Sequence, residues 1–277
     1  MTNPLLNSSI LLHMEIRKWA GEVSDKKALM IVAKQTKSDT HNDKYKKSLF
    51  VTDVLAEVDC CAGRIRNHFY YESVPWLDGG KGRLIPSLSF LEFAVKHKKL
   101  KIDFFKAVEE FIDNYDEFKD DAKSKKGDMY NEAEYPKKED LGRRFDIVLN
   151  TLPFPNTKDI RLDAPAEIIA ELESSMAESI SRVESVVSGQ LSERFQTRVR
   201  MLCKTLRVGK RFNTSLLTEL EKVIQMAANI HEAVDQKLLT KMHKVEHEVL
   251  IHDPEAIRNS QQLQDELIEI CENVLSR

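Results

Sequence analysis

An apolar stripe runs from Ile169 to Leu206 without a gap: Ile169, Leu172, Met176, Ile180, Val183, Val187, Leu191, Phe195, Val199, Leu202 and Leu206, with mostly polar or charged residues between them. Such spacing buries one face of a long helix. Its mean step of about 3.7 residues is nearer the straight-helix period than the 3.5 of a left-handed coiled coil. The stripe therefore predicts a helix packed in a bundle, which needs partner faces.

Those faces follow directly in the chain. Asp163 and Pro165 form a start signal for the long helix, and Gly209, with Lys204, Arg207, Lys210 and Arg211 around it, forms a stop. Gly189 interrupts the stripe without changing its phase, which suits either a kink or a close helix contact. A second helix starting at Asn213, Thr214 or Ser215 would carry Leu217, Leu220, Ile224, Ala227, Ile230, Val234, Leu238, Met242, Val245 and Val249 inward. Asp253 and Pro254 announce a third, with Leu263, Leu267, Ile270 and Val274 inward. Residues 164–277 thus read as an antiparallel three-helix bundle or long helical hairpin.

Residues 1–163 read as a separate α+β domain, mainly helical with a small β element. Ile10, Leu12, Met14 and Ile16 alternate as a strand before a turn at Ala20 and Gly21, and a short helix follows over 25–34. The basic segment 34–47 reads as a mobile link. Phe50, Val54, Val58, Ile65 and Phe69 suggest a helix from about Lys47 through Tyr71, broken at Pro75. The glycine-rich stretch Trp76 to Pro86 reads as a hairpin or tight loop. Helices are expected over 87–97, 102–119 and 139–149, with an exposed charged excursion over 117–140 and a second strand at Ile160 to Leu162 that pairs with the first.

Composition narrows the function classes. The chain has 277 residues, 42% hydrophobic and 31% charged, with 42 basic against 45 acidic residues and a net charge of −3. That is a folded protein with no uniformly basic surface for a polyanion. No run approaches a membrane span, and the first residues lack the basic lead of a signal peptide, so a cytoplasmic chain is expected. The four cysteines include no C-x-x-C pair and read as reduced thiols, with Cys203 and Cys271 in or beside the apolar stripes.

Three patterns could carry chemistry. His243, Glu246 and His247 fit H-x-x-E-H, in which two imidazoles one helical turn apart share a zinc ion beside a carboxylate. Short patterns of this kind also arise by chance in charged helices, so the sequence reading is a solvated face with no metal and no cofactor. The loop Asp78 to Arg83 could hold an anion on its amides and on Lys81 and Arg83, but it lacks the Walker spacing and reads first as a hairpin turn. Finally, Lys44, Lys46, Lys47, Arg64, Arg66, Lys81 and Arg83 lie near Tyr70, Tyr71 and Trp76, giving cations and stackable rings for nucleic acid or a docked partner, although with acidic residues mixed throughout the first reading is core rings and solvated lysines. Catalytic residues are not identified, since nucleophile-elbow, Cys/His and dinucleotide signatures are missing, and no enzyme is expected.

The first 163 residues resemble a protein family of bacteriophages and integrative elements, often encoded beside a cobaltochelatase-like or MoxR-like AAA+ ATPase. The resemblance rests on Trp19-Ala-Gly21, Trp76 to Pro86 with its Gly82-Arg-Leu-Ile-Pro86 end, Phe105 to Phe111 with Tyr115, Ala133-Glu-Tyr-Pro136, Phe145, Pro153-Phe-Pro155 and Arg161. It implies an accessory protein of a mobile element in the cytoplasm of a bacterial host. The expected function is that of a non-enzymatic interaction protein, an adaptor for the ATPase or a self-assembling scaffold. The alternative is a nucleic-acid-binding recombination or anti-defence factor.

Overall fold

The computed structural model describes residues 4–39, 43–76, 81–154, 165–208 and 213–276. In chain order the elements are α1 (Pro4–Asn7), β1 (Ser9–Arg17), β2 (Glu22–Ser24), α2 (Lys26–Thr36), β3 (Lys46–Ser48), α3 (Ala56–Tyr71), β4 (Val74–Pro75), β5 (Gly82–Pro86), α4 (Phe90–Asp113), α5 (Tyr115–Lys126), α6 (Lys138–Leu141), β6 (Asp146–Leu152), α7 (Ala166–Arg207), α8 (Ser215–Asn229), α9 (Gln236–Glu248), α10 (Pro254–Asn259) and α11 (Gln261–Leu275). The protein is mainly α with a small antiparallel component. Among the described residues no helix is long and apolar enough to cross a membrane.

These elements form two units, each discontinuous in sequence. Unit 1 takes Met1–His13, Tyr70–Ala94 and Asn150–Arg277, and unit 2 takes Met14–Phe69 and Val95–Leu149. The division expected at residue 163 is corrected accordingly. Its physical reason is that the hairpin and the first half of β1 contribute Leu11, Val74, Trp76 and Leu84 to the same core as the C-terminal helices.

In unit 1, α7 packs against α8 and α11, and α9 packs against the same two helices, closing a ring of four. Val183, Val187, Leu191, Phe195, Val199, Leu202 and Leu206 of α7 meet Leu220, Ile224, Met242, Val245, Leu267, Cys271 and Val274 in its core. The second expected helix is in fact two. After α8 a single 3-10 turn at His231–Ala233 intervenes, and the Asp235 carboxylate then caps α9 by accepting from the amides of Lys237 and Leu238 at 2.8 and 3.1 Å. The last helix also divides, at Ser260, whose hydroxyl accepts from the Leu263 amide at 3.2 Å. Asp163, Gly209, Lys210 and Arg211 lie outside the described residues, as does the strand expected at Ile160 to Leu162. The thiols of Cys61, Cys203 and Cys271 are buried and free, and burial pushes Cys271 up to about 12.

Gly189 makes no close helix contact: a Cβ added there would meet nothing within 4 Å, and α7 is continuous through it. Gly189→Ala should therefore raise stability by about 0.5–1 kcal/mol, from the lower backbone entropy of alanine. A denaturant titration in which the variant is less stable than the wild type would contradict this.

The sheet order is β4-β5-β1-β6. Strands β1 and β5 are antiparallel, with Ser9 opposite Pro86 and His13 opposite Gly82, and β4 and β5 form the expected hairpin, closed by the Trp76 amide donating to the Gly82 carbonyl at 3.0 Å. The partner of β1 on its other side is β6, with Arg17 and Asp146 ion-paired. The segment expected as a helix over 139–149 is thus α6 followed by a strand, because Phe145 and Ile147 are buried two residues apart, the strand period.

Unit 2 corrects several further expectations. The basic link is partly structured, since Lys46–Ser48 pairs antiparallel with Glu22–Ser24. The helix expected from Lys47 starts at Ala56 instead, and the helices expected over 87–97 and 102–119 are one helix, α4, followed by α5. Residues 117–140 are not a free excursion. Tyr115 donates to the Pro136 carbonyl at 2.8 Å, Tyr135 donates to the Leu49 carbonyl, and both rings join Phe50, Phe111 and Trp19 in an edge-on aromatic cluster. Gly21 has φ +62°, and a Cβ there would lie 3.4 Å from Leu55 Cδ1 and 3.5 Å from the Phe50 ring. Only glycine takes that turn without strain.

Candidate functional site

The C-terminal end of α3 leaves carbonyls with no intrahelical donor. In unit 1 two guanidinium groups take them. Arg83, carried on β5, donates from Nε to Ser73 Oγ at 2.6 Å and from Nη2 to the carbonyls of Ser73 and Tyr70 at 2.9 and 3.4 Å. Arg194, on the flank of the α7 stripe, donates to the carbonyls of Tyr71, Tyr70 and Ser73 at 3.2, 3.0 and 2.9 Å. Tyr71 donates to the Glu219 carbonyl at 3.0 Å, and Lys222 pairs with Glu72 at 2.9 Å. The corner Tyr70 to Ser73 is therefore clamped onto α7 and α8. Burial, with Arg194 nearby, pushes the Arg83 guanidinium down to about 10, and burial lowers Arg194 as well. Both remain cations at neutral pH, so the clamp is charge-assisted throughout.

This geometry accounts for several residues expected to contact anions or partners. Arg83 is buried and committed to the clamp, with its guanidinium 4.5 Å above the Tyr70 ring. Trp76 is buried and packs on Phe154 at 5.5 Å between ring centroids. Tyr71 is half-buried, and burial pushes its phenol up to about 12. Lys81 is exposed. The other basic candidates belong to unit 2. Lys47 is nearly buried, pairs with Glu134 at 2.9 Å and Asp25 at 3.7 Å, and donates to the Met129 carbonyl. Lys46 pairs with Glu22 and Arg64 with Glu57, at 3.3 and 3.0 Å, while Lys44 and Arg66 are exposed. The seven cations thus fall in different units, and Lys47 and Arg83 hold the fold.

The H-x-x-E-H residues come together on the outer face of α9. His243 Nδ1 lies 3.3 Å from Glu246 Oε2, the two imidazoles stack with centroids 6.4 Å apart, and one donor atom from each of His243, Glu246 and His247 lies within 4.8 Å of the others. The opposite face of the helix is fixed by buried Leu238, Leu239, Met242 and Val245.

A third feature is the start of α7. Its stripe is buried from Val183 onward, but Ile168 and Leu172 are 46% and 40% exposed, and Ile169, Met176 and Ile180 are only half-buried. Ile180 packs at the edge of the core, and Ile168, Ile169, Leu172 and Met176 before it belong to no core cluster among the described residues.

No protein-family model, curated protein or solved structure matches this chain.

Proposed function

We propose that the protein is a non-enzymatic interaction protein that docks a protein partner along the first four turns of α7. The single observation behind this reading is that an amphipathic face made for burial continues some fifteen residues past the core that buries it. Over 166–182 the helix carries Glu167, Glu171, Glu173 and Glu178 against one cation, Arg182. A second copy of the same segment would bring like charges together, whereas an apolar groove with basic edges would complement it. The resemblance of the N-terminal half makes a MoxR-like AAA+ ATPase the partner to test first, in a phage or mobile-element setting. Nucleic acid draws less support, because Lys47 is committed to ion pairs within unit 2 and Arg83 and Trp76 are buried in unit 1.

Sedimentation of the protein mixed with the MoxR-like ATPase of the same element tests this. Wild-type protein should co-sediment, and Ile169→Glu/Leu172→Glu should weaken association by about tenfold or more, the loss of about 1.4 kcal/mol that a desolvated apolar contact readily supplies. Helical content and thermal midpoint should not change, since neither side chain is in the core. Equal binding by the variant, or no binding by the wild type, defeats the proposal.

A further inference from the structure

We propose that His243, Glu246 and His247 form a binding site for a divalent transition-metal ion of the zinc class on the outer face of α9. The donor set is two imidazole nitrogens and one carboxylate oxygen. That mixture suits borderline ions such as Zn²⁺, Ni²⁺ and Cu²⁺, whereas Mg²⁺ and Ca²⁺ prefer all-oxygen shells. The reach is right as well. Tetrahedral zinc with bonds of about 2.0–2.2 Å needs donor atoms roughly 3.4 Å apart. Here His243 and Glu246 already meet at 3.3 Å, and no pair of the three donor atoms exceeds 4.8 Å. The remaining closure needs only side-chain rotation, because the His243 and Glu246 side chains are 61% and 44% exposed and free to turn in solvent.

The backbone beneath does not have to move. The Asp235 cap and four buried side chains fix α9 in the bundle, so the backbone spacing of the two histidines is set before any ion arrives. Three protein donors leave one position open, to be filled by water or by a group from another molecule. The neighbouring Lys244 has Glu248 as an ion-pair partner at 3.9 Å.

Calorimetric titration of the chelator-treated full chain with zinc sulfate tests the site. One equivalent of zinc should bind in the micromolar range, and magnesium chloride should give no heat. His243→Gln/His247→Gln should lose that equivalent, and Glu246→Gln should weaken it by about tenfold or more, on the scale of losing a group that merely orients a metal ligand. Cys60→Ser, which removes the exposed thiol on α3, should leave the titration unchanged. His243, His247 and Cys60 are exposed and Glu246 is half-buried on the outer face, so circular dichroism should report intact folding in every variant. The proposal is overturned if the wild type takes up no zinc, or if the double histidine variant retains the same equivalent.

Discussion

Replacing Arg83 with alanine is expected to destabilise unit 1 by about 1–3 kcal/mol, the cost of leaving buried polar groups short of a donor. The side chain is 5% exposed and donates to Ser73 Oγ and to the carbonyls of Ser73 and Tyr70. Its removal strips the hydroxyl of its Nε donor and both carbonyls of one donor each. Each polar group left short there costs on the order of 1–3 kcal/mol. Arg194 keeps a donor on both carbonyls from α7, which holds the loss within that range. Arg83→Lys should recover little, since a single ammonium cannot reproduce the planar fork that reaches Ser73 and Tyr70 together. Chemical denaturation of the variants is the measurement. A loss below about 1 kcal/mol for Arg83→Ala would mean that Arg194 alone suffices to hold the corner.

Acidification should weaken unit 2 through His97. Burial, reinforced by the His68 imidazole and the Lys101 ammonium, pushes His97 down to about 4 from its ordinary 6.5. His97 and His68 stack with ring centroids 6.5 Å apart. As pH falls through about 6.5 the unfolded chain takes up a proton that the folded chain refuses, so stability declines until the folded site protonates near pH 4. The integrated loss is about 3 kcal/mol, since each pH unit that separates the folded from the unfolded value is worth about 1.36 kcal/mol. His97→Gln removes the titrating group, and its stability should fall less than that of the wild type over this window. Parallel pH profiles for the two proteins would refute the assignment.

What the sequence makes legible depends on how local each signal is. The α7 stripe can be read because a single helix of 42 residues repeats its own period many times. The break between α8 and α9 is hidden because Ala227, Ile230, Val234 and Leu238 keep helical spacing straight across it; only Asp235 betrays a new helix start. Strand β6 reads as helix although Phe145, Ile147 and Leu149 alternate, because the charged residues just before them suit a helical turn. The clamp is illegible. Arg194 sits among the polar residues flanking an apolar stripe, and its acceptors lie 121 to 124 residues away in the chain. The H-x-x-E-H residues are the opposite case: three positions on one helical face are brought together by helix geometry alone.

The interleaving of the two units bears on the order in which the chain can fold during synthesis. Unit 2 has its last residue at Leu149, so every contact it needs exists before α7 leaves the ribosome. Unit 1 must hold residues 1–13 and 70–94 in waiting until α7 to α11 have been translated, and it closes the longest loops in the molecule. Until then Leu11, Val74, Trp76 and Leu84 have no helices to cover them. A nascent chain stalled once Leu149 has cleared the ribosome would therefore present a finished unit 2 and an unsatisfied apolar hairpin, the species in which chaperone capture or aggregation would begin.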